Sequence, residues 1–224
     1  MTRAELRTQV YELTGRPSTY ARLSTTQIDE YINEGMMRLA QETLPPSLID
    51  FVTIATANGT SVYEVTGNPL RITSIVYGGV VLEPTTLQRL YASVPGWQSA
   101  STGTPTHWLP LGRGATGYLQ YKLYPTPSAV ANATVGVLKK PGALPTSGEI
   151  LEWDELEQYA LAYYGAWRHL QCKTEADQDG HADKMLANFN AIVDMYRRNN
   201  SVDSVNSQTA GYETGWRTSA PQGG

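Results

Sequence analysis

Among 224 residues there is one cysteine, Cys172. No internal disulfide can staple the fold, and a cysteine zinc site is excluded. Synthesis in a reducing cytosol fits such a chain. Phenylalanine is nearly absent too, at 2 residues against 14 tyrosines. Tyrosine tolerates surfaces that are half apolar and half wet, so this usage favours a protein that makes subunit contacts over one that hides all its aromatic rings. A cationic excess is missing: 17 Lys and Arg face 21 Asp and Glu, for a net charge of −4 and a pI near 5.4. The basic footprint of a phosphate-gripping protein is therefore absent, and no run of like charges forms a basic or acidic tail. No stretch approaches the roughly 20 apolar residues that span a bilayer. Met1 to Leu6 lacks the apolar core of a signal peptide, so a soluble chain is expected.

Catalytic motifs are also missing. The three histidines, His107, His169 and His181, share no i, i+4 spacing and no His-Glu-x-x-His pattern. His107 reads as a loop residue between Thr106 and Trp108, His169 as a helical neighbour of Arg168, and His181 as the start of a last helix. Glu152, Asp154, Glu155 and Glu157 could be paired catalytic carboxylates, but a solvated first turn of a helix explains them more simply, because the macrodipole favours acids there. Asp177-Gln178-Asp179-Gly180 with Asp183 lacks the twelve-residue ligand spacing of a calcium loop and reads as helix capping. Gly112-Arg113-Gly114 with Gly117 lacks the Lys-Ser ending of a phosphate loop and reads as a flexible strand connection. No Gly-x-Ser-x-Gly occurs. No catalytic residue, cofactor or metal ligand is expected.

What is present is enough apolar content, 41% of residues, for a buried core. Thr2 and Glu5 have capping-box spacing ahead of Leu6, Val10 and Leu13, and Gly15-Arg16-Pro17 ends that helix. A second helix starts near Ser24 with Gln27 in box position. Its stripe is Ile28, Ile32, Met36 and Leu39, with Asp29, Glu30, Asn33 and Arg38 pointing elsewhere, and Leu44-Pro45-Pro46 stops it. From Asp50 to Lys140 the period becomes that of strands. Asn58-Gly59 between 51–54 and 61–65 predicts one hairpin, and Gly78-Gly79 between 72–77 and 80–82 a second. Thr85 to Tyr91 predicts a helical turn with Leu87 and Leu90 inward. A Gly/Ser/Thr loop runs from 93 to 105, and strands follow at 118–123 and 133–138. Helical period returns from Trp153 to Cys172, with Leu156, Ala160, Tyr163, Trp167 and Leu170 on one face. A last helix, 176–198, carries Met185, Phe189, Ile192 and Tyr196 and is closed by Arg197 and Arg198.

The expected fold is α+β: a discontinuous four-helix bundle from 1–45 and 150–198, an inserted small antiparallel β-sandwich or barrel at 50–142, and an extended C-terminal tail at 199–224. The tail is too polar to fold alone. Its anchors on a neighbouring subunit or partner are expected to be Tyr212, Trp216 and Arg217, since aromatic rings carry most interface energy and arginine pairs with carboxylates. An alternative is a carbohydrate-binding module on the β segment, with Trp97, Trp108 and the nearby tyrosines stacking on sugars.

Several segments, in this order, resemble the adaptor (head-to-tail connector) family of tailed phages. They are Gly103-Thr104-Pro105-Thr106-His107-Trp108, Leu123-Tyr124-Pro125-Thr126-Pro127, and Val137-Leu138-Lys139-Lys140-Pro141. The acidic start at Glu149 to Glu157 follows, leading into Tyr159-Ala160-Leu161-Ala162-Tyr163-Tyr164. Phe189 and Met195-Tyr196-Arg197-Arg198 close the set. The resemblance spans residue 1 to about 200. It implies a virion protein without catalysis, assembled in the host cytoplasm. It also implies a ring, usually of twelve copies, docked under the portal protein and offering a platform to the tail nozzle and sometimes to fibres. A different virion ring, of tail-completion or nozzle type, is the structural alternative. DNA would pass through the channel without specific binding or membrane contact. Twelve chains at −4 sum to −48, and an anionic conduit does not retain phosphate by counterion release.

Overall fold

The computed structural model describes residues 1–15, 24–94, 96–97, 102–146, 148, 153–171 and 179–212, with side chains described only to 199 in the last stretch. The chain divides into two compact units. One holds Met1–Thr43 and Gly142–Gly224, the other Leu44–Pro141.

The first unit is helical. Helix α1 spans Arg3–Leu13. Thr2 caps it: Glu5 N–H donates to Thr2 Oγ1 at 3.3 Å, and Thr2 N–H donates back to Glu5 Oε2 at 2.7 Å. Helix α2 is Thr25–Thr43, with the same reciprocal bonds between Ser24 and Gln27. It ends where Leu44 turns to φ +52°, a left-handed residue that breaks the helix just before Pro45. The stripe Ile28, Ile32, Met36 and Leu39 is buried. Asp29 does not point to solvent as the spacing implied; it is 7% exposed.

Helix α4, Glu155–Gln171, packs against α1, α2 and α5, Asp179–Tyr212. Its buried face is rotated from the expected one. Leu156 is 37% exposed, while Glu157, Gln158, Leu161, Tyr164, Gly165 and His169 are buried. Small residues explain the rotation. Any Cβ on Gly35 of α2 would lie 2.9 Å from the Tyr164 ring, and one on Gly165 would lie 3.1 Å from Val10. The helix turns its small side towards its neighbours, and Leu156 is carried outward. Helix α5 runs past Arg198 to Tyr212, so Arg197 and Arg198 do not close it and residues 199–212 are helical, not extended. No proline or glycine stands between Arg198 and Gly211 to stop it. Ala182, Met185, Phe189 and Val193 are its buried residues among those described, and Ile192 and Tyr196 are half-buried.

The second unit is built of strands. They are β1 Ile49–Thr56, β2 Val62–Val65, β3 Arg71–Tyr77, β4 Val80–Val81, β5 Glu83–Pro84, β6 His107–Arg113, β7 Leu119–Tyr124 and β8 Ala131–Leu138. A short helix, α3 Leu87–Ser93, lies between β5 and β6. The strands form two sheets, in the orders β1-β8-β3-β4 and β2-β7-β6-β5. Neither closes on itself, so the barrel alternative is corrected. The arrangement is not purely antiparallel either, since β5 runs parallel to β6.

The Gly78-Gly79 hairpin forms, pairing Tyr77 with Val80. The Asn58-Gly59 hairpin does not. β1 pairs with β8 and β2 with β7, so the turn carries the chain from one sheet to the other. His107 lies in β6, not in a loop, and Gly112 and Arg113 are strand residues beside a bulge at Pro110/Gly112. One buried cluster draws on both sheets, including Tyr63, Ile75, Tyr121, Leu123 and Val135. In α3, Leu90 is buried but Leu87 is 46% exposed, against expectation, because Leu87 occupies the first turn beside the Thr86 cap.

Gly35→Ala tests the helix packing. Alanine gains about 1 kcal/mol of helix propensity, but its methyl meets a buried ring, and overpacking costs roughly 1–3 kcal/mol. A net loss is expected, seen as a thermal midpoint lower by about 3–6 °C. A midpoint that rises would show that α2 and α4 do not pack this closely.

Candidate functional site

The start of α4 is a polar knot. Glu157 N–H donates to Asp154 Oδ1 at 2.8 Å, and Asp154 N–H donates to Glu157 Oε2 at 2.9 Å, a third reciprocal cap. Gln158 donates from Nε2 to the Trp153 carbonyl at 2.7 Å, and its Oε1 accepts from the Met1 amine. Tyr196 of α5 donates its hydroxyl to Asp154. The solvated helix start expected from composition is therefore half right. Asp154 and Glu155 are exposed, but Glu157 is 4% exposed. Burial pushes its carboxyl up to about 7. The Asp154 N–H opposes that shift, and the Asp154 charge adds to it.

A second knot ties α1 to α2. Asp29 accepts from Arg7 Nε at 2.7 Å and from Arg3 Nε at 3.1 Å. Burial works against its charge, but hydrogen bonds and charges from Arg7 and then Arg3 outweigh it and hold the pKa below the usual carboxylate range.

In the second unit a cleft of about 490 Å³ opens at the end of the shared core. β3 contributes Arg71, Ile72 and Thr73 to its wall; Pro84 and Arg89 line the side of β5 and α3; Trp108, Pro110 and Leu119 come from β6 and β7. Its lining is mainly apolar, with two guanidinium groups among it. Arg89 pairs with Glu83 at 3.1 Å, and Glu83 also lies 3.6 Å from His107 Nε2. Among the described residues no cluster of three or more His, Cys, Asp or Glu could hold a metal ion. No described helix is long and apolar enough to cross a membrane.

The structure does not describe the side chains of the expected interface residues. Tyr212 is the last residue of α5, and its side chain, with Trp216 and Arg217, lies outside the described residues. Asp177 and Gln178 lie outside them as well. His169 is buried in α4, and the His181 ring lies 2.7 Å from the Leu13 carbonyl. The two tryptophans of the sugar-stacking alternative are largely buried, although Trp108 borders the cleft and Tyr91 is exposed. Trp97 and Trp108 are 6% and 5% exposed. Tyr91 and Tyr124 pack edge-on against Trp97, and Lys122 Nζ sits 4.8 Å over its ring, so no open face is left for a pyranose. The cleft is the feature that sequence reasoning missed. Its walls come from four separated segments, and no local motif marks it.

The fold offers reciprocal helix caps, open sheet edges and a mainly apolar cleft. The comparison with protein families assigns the chain. The SU10 adaptor protein model matches residues 1–210, and the chain belongs to that family of tailed-phage adaptors. No curated protein matches the chain. Family membership makes it a bacteriophage virion component that associates with other structural proteins of the particle.

The two knots give opposite pH dependences. The folded pKa of Glu157 is raised, so its contribution to stability is present below the unfolded value of 4.5 and is lost as pH rises to about 7. That contribution amounts to roughly 3 kcal/mol. The folded pKa of Asp29 is lowered, so its contribution is present above the unfolded value of 3.8 and is lost as pH falls through the folded one. Urea melts should show stability rising from pH 7 to 4.5 and falling below about pH 4. Glu157→Gln should flatten only the upper limb, and an unchanged upper limb would contradict the assignment. Asp29→Asn should cost roughly 3 kcal/mol near neutrality, because it leaves two arginines unpaired.

Proposed function

We propose that the chain is a non-enzymatic subunit of a ring that joins the portal of a tailed phage to its tail. The ring extends the DNA channel and offers a platform to the nozzle or fibres. The observation that supports this reading is the extent of the family match, 210 of 224 residues. It takes in both units. In this reading the two ends of the chain make one discontinuous helical body. The two sheets are the layers of a small sandwich inserted between those ends, and the ring has twelve copies. The segment from 199 onward, with Tyr212, Trp216 and Arg217, clasps the portal or a neighbouring copy. One tail contributes little affinity, because ordering it costs chain entropy, but many tails acting together hold a ring by multivalency.

The isolated protein should be mostly small species by multi-angle light scattering and should form rings against its partner. Removal of residues 200–224 should take away only the helical signal of the last turns of α5, leave the thermal midpoint of the remainder unchanged, and weaken binding to isolated portal. The pair Trp216→Ala with Tyr212→Ala should weaken that binding as well. Unchanged portal binding by both variants would show that the segment is a passive extension. Failure of the full chain to bind portal at all would favour a nozzle or tail-completion ring instead.

A further inference from the structure

The cleft lies where both sheets lose their edge cover. β4 pairs with only Val76 and Tyr77 of β3, and β5 with only His107 and Trp108 of β6. Beyond those pairs, Arg71 to Thr73 of β3 and Pro110 and Gly112 of β6 line the cleft. Ile72 and Trp108, both members of the shared core, line it too, so the core ends in an open mouth.

Neither wall is suited to extending a sheet. Each strand carries a bulge, at Ile72/Ser74 and at Pro110/Gly112, and Pro110 has no N–H to donate. Such features blunt an edge against strand addition. An occupant is therefore held by side chains, and the lining indicates which kind.

The lining includes two arginines and no acid. Gln120 and Thr86 are engaged within the fold: Gln120 Nε2 donates to Glu64 at 2.7 Å, and Thr86 Oγ1 accepts the Arg89 N–H at 3.2 Å. Arg89 pairs with Glu83 at 3.1 Å, yet its side chain is 66% exposed. Arg71 is exposed and makes no ion pair or hydrogen bond among the described residues. A free guanidinium beside an apolar cleft is matched by a carboxylate, which it can hold with two parallel N–H bonds. The charge of the whole unit points the same way. Leu44–Pro141 holds six Lys and Arg against three Asp and Glu, a net +3, in a chain whose net charge is −4. The cationic excess is confined to the unit that bears the cleft.

We infer that the cleft is a docking site for a segment of another virion protein. That segment inserts an apolar side chain between the walls and sets an aspartate or glutamate against Arg71 and Arg89. A protein segment is the occupant that family membership supplies, because the chain associates with other structural proteins of the particle. The inference rests on that membership, and not on the ring or on portal binding.

Peptide binding to the full chain tests it. The probe is a short synthetic peptide in which Phe and Leu alternate with Asp and Glu, dye-labelled at one end and followed by fluorescence anisotropy. The chain should bind it at least about tenfold more tightly than the same peptide with Asn and Gln at the acidic positions. High salt should shrink the difference. Arg71→Glu should reverse the preference, towards a peptide with Lys at those positions. Lys140→Glu is the control: this lysine is exposed, makes no ion pair among the described residues and lies outside the cleft lining. Its reversal should change the affinity by less than about twofold, because an exposed charge outside the contact is screened. Equal loss in both variants would show attraction to the unit's charge alone and overturn the site. Equal affinity for the acidic and amide peptides, or no binding of either at millimolar concentration, would overturn it too. A change in the oligomeric state of the chain on Arg71→Glu, with no peptide present, overturns it in favour of a second copy. The comparison of acidic with amide peptide uses the unaltered chain, so it decides even where Arg71→Glu does not fold. Portal binding is measured separately, and a negative peptide result leaves the adaptor reading standing.

Discussion

The helical unit depends on how closely α4 can approach α1 and α2. Two glycines set that distance. Gly35 admits the face of Tyr164, and Gly165 admits Val10 and Ile32; a single methyl at either site intrudes on a neighbour. The close approach brings Met1 to Gln158 and lets Tyr164 donate its hydroxyl to Glu34 at 2.9 Å. It also lays Arg38 over the rings of Tyr164 and Phe189, at 5.8 and 5.1 Å. Groups that would be costly to bury alone are buried here because each finds a partner. Asp29 has two arginines, and Glu157 has a backbone N–H and shares its carboxyl with a reciprocal cap. The unit is joined by polar knots at the helix starts as much as by its apolar stripes.

The parts of this architecture that were legible in the sequence are those set by neighbours in the chain. Thr2 with Glu5 and Ser24 with Gln27 cap their helices as their spacing requires, and Gly78-Gly79 makes its hairpin, since each needs only a few adjacent residues. Asn58-Gly59 shows the limit. The dipeptide turns the chain as its conformation permits, but the partner of a strand is chosen by burial across the whole sheet, and β1 and β2 find β8 and β7 instead. β6 escaped notice because Pro110 and Gly112 interrupt its alternation, and the bulge that accommodates them is visible only in the paired sheet. The rotation of α4 was hidden for a related reason: hydropathy points to Leu156, while the packing is decided by glycine and alanine, which carry almost no hydropathic signal.

Of the candidate site, almost nothing was legible. Composition drew attention to Tyr212, Trp216 and Arg217 as the large groups in a polar segment, and to Trp97 and Trp108 as aromatic platforms. The two tryptophans are largely buried, because each is used inside the fold. The cleft is assembled from residues near 70, 85, 110 and 120, all ordinary in their own segments. A site assembled from separated segments belongs to the fold, and a motif search has no means of finding it.

The central claim is that this chain acts as one of many copies against a portal. Native mass spectrometry of the full-length protein mixed with isolated portal tests it most directly. The account predicts a complex whose mass exceeds that of the portal by one discrete, constant multiple of 24.6 kDa, with no stable species of intermediate number. Portal and free 24.6 kDa chain remaining separate at every mixing ratio would contradict it.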